Sequence, residues 1–160
     1  MLYTTFDSPI GQLLAAGDGG ALEVLSMQGG RTKTAIGPDW QEDPDPFVDV
    51  IEQLAAYFAG ERRECDLPLA AAGSPFEQQV WRELRQIPYG ETISYGELAR
   101  RVGPPATPRN VGWANGRNPI AVIVPCHRVI GADGSLTGYG GGLDRKRLLL
   151  ELEGGVLSLA

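Results

Sequence analysis

Short apolar-rich runs and glycine- or proline-marked turns alternate through the first quarter of the chain, which predicts a small antiparallel sheet. Leu2 to Phe6 and Gln12 to Ala16 flank the turn Asp7-Ser8-Pro9-Ile10-Gly11, and Asp18-Gly19-Gly20 then turns the chain into Ala21 to Met27. Residues 28–46, rich in Gly, Asp and Pro, read as a loop. The period then changes: Phe47, Ile51, Leu54 and Phe58 recur at helical spacing until Gly60 stops the helix. Cys65 to Leu69 reads as one more strand, and Ala70 to Gly73 as a linker, so residues 1–73 form a first domain and 74–160 a second.

The second part is marked by helix caps. Ser74-Pro75-Phe76-Glu77 combines an N-cap serine, proline at the first helical position and glutamate three residues after the cap; it predicts a helix to about Gln86 that buries Phe76, Val80, Trp81 and Leu84. Ser94-Tyr95-Gly96-Glu97 repeats the capping box and opens a short helix ending near Val102-Gly103. Thr107-Pro108 caps another, to about Asn115, so residues 94–115 read as a helix-turn-helix. A buried run, Ile120 to Val124, then delivers Pro125-Cys126 at its end. A hairpin around Gly131-Ala132-Asp133-Gly134, a glycine-rich loop from Gly138 to Gly142 and a helix from Asp144 to Glu153 follow, the last with Leu148, Leu149 and Leu152 inward.

Composition adds bounds. With 160 residues the chain holds one medium domain or two small ones. Its apolar stretches fall far short of a membrane span and its N-terminus lacks a signal-peptide layout, so a cytoplasmic protein is expected. The net charge of -6 argues at first against nucleic acid. The distribution changes that reading. Residues 1–74 carry 12 acidic and 4 basic side chains, whereas residues 95–147 carry 3 acidic and 8 basic. The acidic half is also read as a solubility device, and the basic segment is the more telling part.

The candidate chemistry sits in that basic segment. Pro125-Cys126-His127-Arg128-Val129-Ile130 places a cysteine beside the only histidine in the chain. A thiol is a strong nucleophile as its thiolate, and an adjacent imidazole can draw off its proton near neutral pH. One histidine cannot build a histidine-rich metal site, and Cys65 and Cys126 have no zinc spacing, so no metal is expected. Cys65 reads as core. By itself the pair leaves hydrolysis, redox work and group transfer open.

The motif, with Asn118-Pro119 before it, resembles the active-site segment of the O6-alkylguanine-DNA alkyltransferases. The resemblance continues upstream through Ile87 to Thr92, Ser94-Tyr95 and Arg109 to Gly112, and downstream through Gly138-Tyr139, Gly141-Gly142, Lys146 and Leu149-Leu150; it covers about residues 75–156. It implies an α+β protein: an N-terminal ribonuclease H-like α/β domain followed by a mostly helical domain with the helix-turn-helix. It also implies repair of double-stranded DNA containing O6-alkylguanine, bound through the minor groove by a monomer. No cofactor is needed.

The resemblance further implies roles. Cys126 takes the alkyl group as a thioether, once and irreversibly; His127 accepts the thiol proton, directly or through one water; Glu153 fixes the imidazole tautomer. Asn118 braces the site, its other reading being a turn residue before Pro119. Tyr95 donates to the departing guanine ring. Arg109 is the finger that fills the space left by a flipped nucleotide, and Tyr139 and Gly140 belong to the loop that closes over the base. Arg128 reads as structural support, and Glu151 as a surface residue. Two positions depart from the small residues usual in the family: Asn110, beside the finger, and Trp113. Trp113, four residues after Arg109, is expected to pack against the first helix of the pair or the Arg109 stem, or else in the core. Zinc-binding residues near the start of some relatives have no match.

Two other classes compete. A lesion-binding protein without chemistry, of the alkyltransferase-like type, would lack the cysteine that is present here. A cysteine hydrolase would need a differently placed pair, since adjacent residues at a strand end do not face each other as a papain-like couple does.

Overall fold

Four consecutive residues, Leu13 to Ala16, are buried, and this continuous apolar run places their strand in the middle of a sheet covered on both faces. The computed structural model describes residues 1–29, 34–136, 138–139 and 141–154. Strands β1 (Leu2–Phe6), β2 (Leu13–Gly17) and β3 (Leu22–Met27) form an antiparallel meander, with Phe6 opposite Leu13 and Leu13 opposite Met27. A short strand β4 (Gln41–Glu42), inside the stretch expected to be loop, pairs in parallel with β1 and gives the order β3-β2-β1-β4. Cys65 to Leu69 is not a strand; Leu69 makes one isolated parallel bridge to Leu22 at the β3 edge.

Helix α1 (Val48–Phe58) covers the sheet through Val50, Leu54 and Tyr57, with Phe47 buried just before it. Ile51 and Phe58, expected to lead that face, are only partly buried. The Val50 stripe is the adjacent face of the same helix, and tertiary packing selects it.

The helical part follows its caps. In α2 (Pro75–Leu84) the Ser74 hydroxyl accepts from Glu77 N at 3.2 Å, and the Glu77 carboxylate accepts from Ser74 N at 2.9 Å. Phe76 is less buried than expected, while Val80, Trp81 and Leu84 fill the core and Trp81 Nε1 donates to Ala114 O at 2.9 Å. Ser94 follows Ile93 in a two-residue strand β5 (Ile93–Ser94) and caps α3 (Tyr95–Val102), but only half of that capping box forms. The Glu97 carboxylate turns instead to Arg100 and Arg101. Gly103, at φ +86, ends the helix in a conformation that side chains with a Cβ rarely adopt. In α4 (Pro108–Gly116) Thr107 accepts from Asn110 N at 3.1 Å, and the Asn110 side chain closes the box by accepting from Thr107 N at 2.7 Å.

The buried run before the cysteine is a turn, not a strand. Ile123 N donates to Ala121 O at 2.8 Å around Val122, whose φ of +70 is strained for a β-branched residue. Cys126 N donates to Val124 O at 2.8 Å around Pro125, a second three-residue turn. Cys126–Arg128 make one turn of 3-10 helix, and β6 (Val129–Ile130) pairs in parallel with β5. Residues 131–135 therefore close a tight turn, not a hairpin. The last helix, α5 (Leu143–Leu152), buries Lys146, Leu149 and Leu150, while Leu148 is exposed, contrary to expectation. One hydrophobic cluster joins sheet, α1 and the helical part.

Candidate active site

Asn118 holds the turn that aims the cysteine. Its Nδ2 donates to Val124 O at 2.8 Å and Ile120 O at 3.3 Å, and its Oδ1 accepts from Ile120 N at 3.0 Å. These bonds fix both ends of the strained segment around Val122, whose conformation costs on the order of 1–3 kcal/mol. Cys126 is thereby set, buried, at a cleft that it lines together with Asn115, Asn118, Pro119 and Tyr139. The sheet contributes Met27 to the same wall, where Gly141 approaches it so closely that a Cβ would overlap the sulfur.

Behind the thiol lies a buried ionic chain. His127 is inaccessible to solvent, and its Nε2 is 2.9 Å from Glu153 Oε2. Arg128 grips the same carboxylate with two bonds, Nε to Oε1 at 2.8 Å and Nη2 to Oε2 at 2.9 Å, and donates Nη1 to Ile87 O at 2.7 Å. A fourth donor arrives from the N-terminal half: the Tyr57 hydroxyl is 2.5 Å from Glu153 Oε2. A carboxylate with that many donors accepts from the imidazole, so Nε2 carries the proton and Nδ1 has the lone pair. Nδ1 is buried and has no hydrogen-bond partner among the described residues.

Burial and charge set the protonation states. Burial alone would raise the Glu153 carboxyl, but the hydrogen bonds and charges of His127 and Arg128 overcome it and hold it at about 2. Burial pushes the His127 imidazole down, against the pull of Glu153, which keeps the ring neutral. Burial pushes the Cys126 thiol up, opposed by the Asn118 amide, the Lys146 ammonium and the Tyr139 hydroxyl. Lys146 itself is lowered to about 8 by burial, against the effect of Cys126; its Nζ donates to Val129 O at 2.6 Å. The resting state is thus a neutral thiol beside a neutral imidazole. No group of three or more His, Cys, Asp or Glu among the described residues is placed to hold a metal ion.

Residues 1–71 match the family model described as the ribonuclease-like domain of 6-O-methylguanine DNA methyltransferase, and residues 75–155 match its DNA binding domain. The chain belongs to the 6-O-methylguanine DNA methyltransferase family. Its relatives include the methylated-DNA--protein-cysteine methyltransferase of Methanosarcina acetivorans, 51% identical over 96% of this chain and 99% of that protein. The protein of the same name from Mycobacterium bovis is 56% identical over 94% of this chain and 91% of its own length. The crystal structure of Mycobacterium tuberculosis OGT in complex with DNA superposes with a TM-score of 0.89 at 55% identity, covering 96% of this chain and 92% of that one. The α+β architecture expected from the sequence is the architecture of the family.

Within this methyltransferase frame the structure brings together Cys126, His127, Glu153, Asn118, Pro119 and Tyr139. Tyr95 is half-buried at the start of α3, with its ring facing Gly112 of α4. Arg109 is exposed at the start of α4, and Asn110 spends its side chain on the cap and on a 3.2 Å bond to Pro105 O. Gly140 lies outside the described residues. Trp113 is not a core residue; it is 60% exposed, and the Arg117 guanidinium lies 4.6 Å from its ring centre. Arg117 is fixed in turn by Glu77 at 2.7 Å. Sequence reasoning missed Tyr57 and Asn115. A tyrosine next to the expected face of α1 was the available signal for the first; a polar residue on the buried stripe of α4 was the signal for the second.

Proposed function

We propose that Cys126 is the alkyl acceptor of this DNA-repair methyltransferase and that O6-alkylguanine in double-stranded DNA is its substrate. The observation that carries this is the Cys126-His127-Glu153-Arg128 arrangement: a neutral imidazole, oriented by a carboxylate through Nε2, follows a thiol at a cleft.

The thiol proton passes to His127 Nδ1, directly or through one water, and Glu153 stabilises the imidazolium that forms. The sulfur attacks the alkyl carbon in line. A carbon-sulfur bond forms as the carbon-oxygen bond breaks, the bonding pair stays on O6, and Tyr95 supplies a proton to the ring so that guanine leaves neutral. The thioether has no leaving group for water to displace, so each molecule acts once. Asn118 and Pro119 shape the turn behind the thiol, and Tyr139 lines the cleft that receives the base.

The target atom lies inside the base stack, and the nucleotide must be flipped. The exposed N-terminal end of α4 is suited to the duplex, with Arg109 entering from the minor groove and Asn110 beside it. The protein works as a monomer.

Intact-protein and peptide mass spectrometry after incubation with O6-methylguanine DNA tests the reading. One equivalent of methyl on Cys126 is expected, and Cys126→Ser should abolish transfer while leaving DNA binding intact. Folded, reduced protein that gains no mass on Cys126 overturns it.

A further inference from the structure

A second cleft opens on the turn that carries the nucleophile, and it shares no lining residue with the first. Val122, Ile123 and Pro125 give it an apolar wall, and three arginines border it: Arg63 from the segment after α1, Arg85 at the end of α2, and Arg128. Glu64 is the one carboxylate among its lining residues. In a chain of net charge -6, three guanidiniums brought to one concavity from three separate segments need a reason. Among the described residues neither Arg63 nor Arg85 makes an ion pair. Arg63 lies 5.3 Å from the centre of the Tyr89 ring and Arg128 5.8 Å from the same centre, so two of the cations are crowded around one aromatic ring. Like charges held this way favour an anion beside them.

We infer that this cleft binds a small oxyanion of the phosphate class, with the exposed Arg63 and Arg85 at its rim and the buried Arg128 at its floor. The cradle is fixed before any ligand arrives. Gln53 of α1 holds the segment after Arg63 by two bonds, donating from Nε2 to Asp66 O at 3.0 Å and accepting from Asp66 N at 2.7 Å. Arg128 is gripped by Glu153 and Ile87 O, and those three bonds leave two of its five N–H groups to give. A planar carboxylate is satisfied by one guanidinium, whereas a tetrahedral oxyanion presents oxygens in several directions and suits donors that converge from three segments. A duplex phosphate, flanked by its sugars, cannot follow to a guanidinium that is 7% exposed. A free anion can. The site stands apart from the repair reading, since Cys126 does not line it, yet Arg128 belongs both to this cleft and to the Glu153 cluster.

Isothermal titration calorimetry with inorganic phosphate, at constant ionic strength with chloride as the balancing ion, tests the site on the wild-type protein, Arg63→Gln, Arg85→Gln and Arg82→Gln. Arg82 is exposed on α2 and does not line the cleft, so its variant controls for the general loss of one charge. One phosphate per chain is expected. Arg63→Gln and Arg85→Gln should each weaken it about tenfold or more, the usual cost of a charge-assisted hydrogen bond, and Arg82→Gln should leave it unchanged. Matching circular dichroism spectra in chloride show that the variants are folded, and the wild-type melting midpoint should rise with phosphate but not with chloride. No saturable binding to the wild type, or equal affinity in all four proteins, overturns the site. Displacement of phosphate by an undamaged duplex assigns these arginines to the DNA surface and overturns the small-anion reading.

Discussion

At the scale of single residues, the thiol and the imidazole are both held in their neutral forms, and this dictates how the reaction must depend on pH. Burial raises Cys126, so the thiolate is scarce at neutral pH and a base is needed. Burial lowers His127 from 6.5, so the ring stays a competent base to more acidic pH than a free imidazole would. His127→Gln should therefore slow benzylation by O6-benzylguanine by roughly 10²- to 10⁴-fold at pH 7. The deficit should shrink toward pH 9, where hydroxide removes the thiol proton unaided. A pH-rate series on both proteins checks this, and a deficit of equal size at every pH would remove His127 from the role of base. The Cys126-His127 adjacency was legible in the sequence because the motif is contiguous. The convergence of Arg63, Arg85 and Arg128 was not, since nothing local brings three distant segments to one cleft.

At the scale of elements, local signals read well and nonlocal ones did not. The Ser74 and Thr107 caps are complete within four residues, so sequence alone determines them. The Ser94 cap fails by half because Arg100 and Arg101, a turn further on, compete for the Glu97 carboxylate. An apolar run of five residues looks the same whether it is a strand or a buried turn, and Ile120 to Val124 is the turn because Asn118 ties its ends together. The clearest prediction at this scale concerns α4. Its inner face holds Val111 and Ala114, while Arg109, Trp113 and Arg117 follow one another at four-residue spacing away from the core. Glu77 anchors Arg117, and Arg117 lies over Trp113, so the exposed indole is held by a fixed guanidinium. Trp113→Ala should weaken duplex binding about fivefold or more, by loss of contact with bases or sugars, while benzylation by the free base stays unchanged. Fluorescence anisotropy at fixed salt reads the affinity, and equal binding by the two proteins would leave Trp113 no part in it.

At the scale of the molecule, Glu153 is where the two halves of the chain meet. It lies just past α5, binds His127 and Arg128 beside the nucleophile, and accepts from Tyr57 of α1, 96 residues earlier in sequence. A contact of that span leaves no trace in local pattern, and the apolar period of α1 pointed to Phe58 instead. The pairing makes acid stability a global property. Glu153 is lowered from 4.5 to about 2, so the unfolded chain binds its proton first as pH falls, and the stability that the carboxylate contributes above 4.5 is lost on the way down to about 2. His127 is lowered from 6.5, so its contribution also declines as pH falls below 6.5. Both groups act in the same direction. Urea unfolding of the wild-type protein should show a midpoint that drops steadily from pH 7 to pH 4. Glu153→Gln leaves Arg128 buried without its counter-charge and should cost about 3–5 kcal/mol at pH 7. Tyr57→Phe, which removes one hydrogen bond to a charged acceptor, should cost about 1.5–3 kcal/mol. The Glu153→Gln midpoint should also change less with pH at the acidic end than that of the wild type. A wild-type midpoint equal at pH 7 and pH 4 would mean that this chain does not hold the halves together, and a stable Glu153→Gln protein would mean that Arg128 finds its compensation elsewhere.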